Sequence, residues 1–183
     1  MFGCADFSPE NKKTRLSTMP DPTLTFGRLW KRMTSEQRHR AALAFWRDDS
    51  ATDDQIQAVL LISQQKKFRR KTVAGLDEER KARHLASLPT LPDNVAARVL
   101  VLYHLAEQRP MMGAFLDALG IAHDDGVIQE DNVVPDTTKV APAAAAIATQ
   151  YPRVDVSIYL NTLLCQDPKA WGALDGLPEV GPA

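Results

Sequence analysis

Residues 93–121 restrict the fold of this chain more than any other stretch. Val95, Val99, Leu102 and Leu105 or Ala106 recur at helical spacing, and Leu100, Val101 and Tyr103 carry apolar surface nearly all the way round. A helix that is apolar on most of its circumference is a central, buried one. Arg109-Pro110 then turns a corner, because proline suits the first turn of a new helix. Met112, Phe115, Leu116 and Leu119 mark one face of that second helix. Gly120-Ile121 reads as a Schellman ending, with Ile121 folded back on the last turn.

Helical signals continue on both sides of this pair. Phe26, Leu29, Trp30 and Met33 define one face of a short helix within Thr23–Met33. Thr34-Ser35-Glu36-Gln37 reads as a capping box that opens a helix carrying Ala41, Leu43, Ala44, Phe45 and Trp46. Thr52-Asp53-Asp54-Gln55 repeats the device, and Ile56, Val59, Leu60 and Ser63 form the inward stripe of the helix that follows. Asp77-Glu78-Glu79 starts another helix, with Leu76, Leu85 and Leu88 as its apolar contacts, and Asp93 or Asn94 caps the central one. Later come an alanine-rich helix in Asp136–Gln150, regular after Pro142, a long one over Asp155–Gln166, and a short one around Trp171 and Leu174. Between them, residues 122–135 are polar and turn-rich, and a small ribbon near 126–134, pairing Val127-Ile128 with Val133-Val134, fits the pattern.

Unequal helices, differing joints and no fixed-period repeat predict an all-α, irregular orthogonal bundle of about seven to eight helices rather than a solenoid. The expected organisation is a flexible leader over 1–22, one helical domain over 23–175 and a frayed Pro/Gly-rich tail over 176–183. Met19 is an alternative start.

Charge is split along the chain. Residues 1–91 carry 17 Lys/Arg against 11 Asp/Glu, and residues 92–183 carry 5 against 12. The favoured expectation is that the two halves attract each other within the fold; two faces with different partners is the other. The longest uncharged stretch, Val140–Pro152, has 13 residues and contains Pro142, whereas a membrane helix needs about 20 apolar residues. No apolar run of signal-peptide length occurs in residues 1–22. Cys4 and Cys165 are too few and too far apart for a disulfide framework. Both read as reduced thiols of a cytoplasmic protein, bacterial in style.

Four constellations bear on chemistry. Lys66, Lys67, Phe68, Arg69, Arg70 and Lys71 place five cations around one aromatic, a composition that suits nucleic acid, where cations displace counterions and a ring stacks a base. The plainer reading is a solvated helix end favoured by the macrodipole, with Phe68 turned inward. His123, Asp124, Asp125, Glu130 and Asp131 offer donors for a divalent cation, yet the adjacent aspartates before Gly126 break the calcium-loop spacing, and Asp-Gly alone predicts a turn. His39 and His84 lie on polar faces, and His104 is a buried histidine expected to bond Tyr103 or a backbone carbonyl. Trp30, Phe45, Trp46, Phe115, Tyr159 and Trp171 recur at core spacing, with part of the Phe26–Trp30 face a candidate contact for a partner helix.

The sequence contains no G-x-S-x-G, G-x-G-x-x-G, Walker loop, H-E-x-x-H or C-x-x-C, and implies no cofactor. The leading expectation is a non-enzymatic helical interaction or regulatory module that binds another protein. Nucleic-acid binding through residues 66–71 is the second expectation, and a metal-dependent enzyme built on loop 123–131 the third.

Overall fold

The computed structural model describes residues 24–131 and 133–181. Cys4, Met19 and the expected leader lie outside the described residues, as do Thr23, the start assigned to the first helix, and the last two residues of the tail. Among the described residues the architecture is all-α, with helices α1 (Phe26–Arg32), α2 (Ser35–Arg47), α3 (Thr52–Lys66), α4 (Arg70–Ala74), α5 (Glu78–Ala86), α6 (Asp93–Glu107), α7 (Arg109–Leu119), α8 (Thr137–Gln150) and α9 (Arg153–Gln166). Short 3-10 turns cover Asp49–Ala51 and Gly172–Leu174, and strands β1 (His123–Asp124) and β2 (Val127–Ile128) form a small ribbon. The nine helices exceed the seven to eight expected, chiefly because the basic run is broken into the end of α3 and a separate α4.

Several joints follow their sequence signals. The capping box at Thr34 is complete: Gln37 N donates to Thr34 Oγ1 at 3.1 Å, and Thr34 N donates to Gln37 Oε1 at 2.9 Å. Asp77 Oδ1 caps α5 by accepting from Arg80 N at 2.7 Å. Gly120 is left-handed at φ 73°, and Ile121 N reaches back to Leu116 O at 3.0 Å, closing α7 with the Schellman pattern.

Other joints differ. Thr52 does not cap α3, because the 3-10 turn already fills the junction and places Thr52 inside the helix. Gln55 instead donates from Nε2 to Phe45 O at 2.8 Å and Asp48 O at 3.0 Å, satisfying the end of α2. The buried face of α3 is Ala58, Ile62 and Ser63, with Ile56 56% exposed, so the helix is rotated from the predicted stripe. Neither Asp93 nor Asn94 caps α6: Asp93 Oδ1 accepts from Gly27 N on α1 at 3.0 Å, and Asn94 Nδ2 donates to Gln57 on α3. Pro142 sits inside α8, which begins five residues before it.

The ribbon is also shifted. Val127-Ile128 pairs antiparallel with His123-Asp124, not with Val133-Val134, because Asp125 (φ 46°) and Gly126 (φ 82°) make a two-residue turn with both central residues left-handed. Val134 is left 73% exposed.

Two apolar clusters make up the core. One packs α1, α2, α3, α5 and α6 around Trp30, Phe45, Ile62, Leu85 and Tyr103. The other packs α7, α8 and α9 around Phe115, Ile147, Leu160 and Trp171. Helix α9 serves both, with Ile158 in the first and Tyr159 in the second. Trp30 is not open to a partner helix: it is fully buried, and its Nε1 donates to Leu88 O at 3.0 Å. The tail over 176–181 does not run free as its composition suggests. Ser157 Oγ donates to Gly181 O at 2.9 Å, Asn161 Nδ2 to Val180 O at 2.9 Å, and Arg153 to Pro178 O at 3.2 Å, while Leu177 and Val180 pack on the second cluster.

Candidate functional site

The basic run forms an exposed corner. Helix α3 stops where Lys67 turns left-handed at φ 56°, and Phe68 N closes the end on Ser63 O at 3.0 Å. Arg69 is extended, and α4 then begins, anchored by fully buried Val73. The Phe68 ring is not turned inward: it is 42% exposed and meets His84, in the last turn of α5, edge to face at 5.4 Å. The side chains of Lys66, Lys67, Arg69, Arg70 and Lys71 are exposed, and none makes an ion pair or hydrogen bond among the described residues. The macrodipole accounts for Lys66 and Lys67 at the end of α3 and for Lys71 in the last turn of the five-residue α4, but Arg69 and Arg70 stand at the start of α4, where a helix terminus disfavours cations. Local electrostatics therefore leave Arg69 and Arg70 unexplained.

The acidic loop is occupied by its own structure. His123 Nε2 lies 3.2 Å from Asp117 Oδ1, and its Nδ1 accepts from Gly126 N at 3.1 Å. Asp125 pairs with Arg109 at 3.2 Å across the ribbon turn. Asp124, Glu130 and Asp131 are exposed, and no three His, Cys, Asp or Glu side chains among the described residues gather where a metal ion could bind. The donors of the third expectation are thus not brought together.

His104 is buried, but its partner is neither Tyr103 nor a carbonyl. Its Nε2 lies 3.0 Å from Thr162 Oγ1 on α9, and burial pushes its pKa down to about 3. Tyr103 meets it ring to ring, with centroids 5.5 Å apart and planes tilted by 50°, but does not hydrogen-bond it. Its hydroxyl joins a network that sequence reasoning missed: Gln37 Nε2 donates to Asp155 Oδ1 at 2.6 Å, Tyr103 OH donates to the same oxygen at 3.3 Å, and Gln108 donates to Tyr103 OH at 3.2 Å. Burial, and then the Asp155 charge, raise the Tyr103 pKa. Gln37 and Tyr103 lie 118 and 52 positions from Asp155, and no local pattern joins either of them to it. His39 pairs with Glu79 at 3.0 Å. Burial, followed by the Asp93 carboxylate, pushes the half-buried Cys165 thiol up to about 11, which leaves it a poor nucleophile.

The charge split is only lightly used inside the fold. Arg40–Glu107, at 3.5 Å, joins a cation of the basic half to a carboxylate of the acidic half. His39–Glu79, Arg47–Glu78 and Arg80–Asp77 close within the basic half, and Arg98–Asp48 crosses in the opposite sense. Among the described residues, no helix is long and apolar enough to cross a membrane. Comparison with protein-family models, with curated proteins and with solved structures finds no match to this chain.

Proposed function

We propose that this chain is a non-enzymatic helical binding module whose working surface is the corner between α3 and α4, and that its partner is an anionic polymer, nucleic acid in the first place. One observation carries this reading: five exposed cations without partners among the described residues surround a ring that is itself 42% exposed. Free cations release condensed counterions on meeting phosphates, and an exposed ring stacks on bases of any sequence. A cytoplasmic protein partner with an acidic segment also fits unpaired cations, and it makes no demand on Phe68.

Anisotropy titrations of a labelled single-stranded oligonucleotide, the matching duplex and polyglutamate test the proposal. Nucleic-acid binding at 50 mM salt should weaken linearly in log–log salt plots. Arg69→Ala with Arg70→Ala should weaken it about tenfold and flatten the slope by about 2. Phe68→Ala should affect the single strand more than the duplex. Equal binding of polyglutamate, indifferent to Phe68→Ala, assigns an acidic protein partner instead. No binding to any of the three at low salt overturns the reading.

A further inference from the structure

A second site lies apart from the basic corner and shares no residue with it. A cleft of about 210 Å³ opens between α6, α7, α9 and the β1–β2 ribbon. Its walls are mainly aliphatic, and no Asp, Glu, Lys or Arg lines it. Leu105, Met112 and Ile128 are half-buried and Gln166 is exposed, so the cleft reaches solvent.

Two features mark it as more than a packing gap. The first is a polar group that opens on the cleft. Tyr159 lines the cleft and is 3% exposed, held edge to face by His104 at 5.4 Å and Phe115 at 5.8 Å, and its hydroxyl has no hydrogen-bond partner among the described residues and is not sealed from solvent, so its free surface opens on the cleft. A tyrosine hydroxyl with no protein partner at the surface of an apolar cleft is available to a ligand that enters. The neighbouring Thr162 cannot serve, since its hydroxyl already joins His104 and donates to Ile158 O at 2.8 Å. The second feature is a rigid wall. Gly126 is wedged so closely that a Cβ there would lie 2.8 Å from Met112 Cβ and 3.0 Å from Arg109 O. The Arg109–Asp125 and His123–Asp117 pairs hold the rest of the ribbon in place. The loop whose sequence reads first as a turn and only second as a metal site thus forms one side of the cleft.

We infer that this cleft binds a small, uncharged, largely apolar molecule with one hydrogen-bonding group directed to the Tyr159 hydroxyl. An apolar cavity of about 150 Å³ holds benzene, so this one accommodates a molecule the size of cresol or indole. The lining offers no counter-charge, which discriminates against carboxylates and amines of the same shape.

The full chain is titrated with p-cresol, indole, toluene and benzoate, followed by saturation-transfer NMR and thermal shift. Saturable binding of p-cresol and indole at sub-millimolar concentration, with benzoate at least tenfold weaker, is the expected result. Tyr159→Phe should weaken p-cresol about fivefold or more and leave toluene unchanged, a split that loss of packing does not produce. Met112→Trp should fill the cleft and abolish binding. Val127→Trp on the ribbon gives the same test from the opposite wall should the first variant unfold. Absence of saturable binding by any neutral probe, or binding undiminished in both tryptophan variants, overturns the assignment.

Discussion

His104 Nε2 and Thr162 Oγ1 face each other at 3.0 Å between α6 and α9, and the threonine hydroxyl donates onward to Ile158 O at 2.8 Å. With its single hydrogen committed to that carbonyl, the hydroxyl accepts from the imidazole. This assigns the histidine proton to Nε2 and leaves Nδ1 buried without a partner. The ring is thereby a neutral fastener between α6, in the first apolar cluster, and α9, which serves both.

That arrangement makes stability depend on acid. In the folded chain the ring stays neutral down to about pH 3, whereas an unfolded histidine takes its proton near pH 6.5. Between those values the unfolded state binds the extra proton, so stability falls as pH drops. Urea unfolding of the wild type should lose about 2–3 kcal/mol more than that of His104→Leu between pH 6.5 and 4.5. Parallel pH curves for the two proteins would refute the neutral buried ring.

Asp155 collects hydrogen bonds from two other helices, through Gln37 and Tyr103. Asp155→Ala leaves the Gln37 amide and the Tyr103 O–H without this acceptor in a half-buried site and should cost about 1–3 kcal/mol in chemical denaturation. Asp155→Asn retains an acceptor oxygen and should cost less. A smaller loss for alanine than for asparagine would show that the network does not act this way.

Gly126 combines φ 82° with contacts that leave no room for a side chain. Gly126→Ala should destabilise by at least about 1–2 kcal/mol from backbone strain alone, and amide shifts should concentrate in the ribbon and α7. Gly172, with nothing within 4 Å of its notional Cβ, is the control. An alanine there should change the melting temperature far less.

The basic corner separates binding from folding. Because the cations of Arg69 and Arg70 have no partners among the described residues, replacing both with alanine should move stability by no more than about 0.5 kcal/mol per site. A large drop in melting temperature would mean that the two arginines serve the fold rather than a partner.

What the sequence carried was local. The Thr34 box, the Asp77 cap and the Gly120-Ile121 ending are each made within about six residues, so residue type alone specifies them. The apolar stripe of α6 announced its burial because a helix apolar nearly all round has no solvent face to choose. The exposed cations of 66–71 were visible for the same reason.

Everything that depended on a distant neighbour was decided by tertiary structure. Asp93 leaves its expected cap for Gly27, 66 positions away, and Gln37 and Tyr103 meet only because α9 brings Asp155 between them. The acidic loop became a pocket wall because Asp125 found Arg109 and His123 found Asp117, each across a turn of chain. Hydrogen bonds and ion pairs act over about 3 Å, so a polar side chain's role is set by which groups the packed helices deliver to it. That delivery is a property of the whole core and is not encoded in spacing along any one helix.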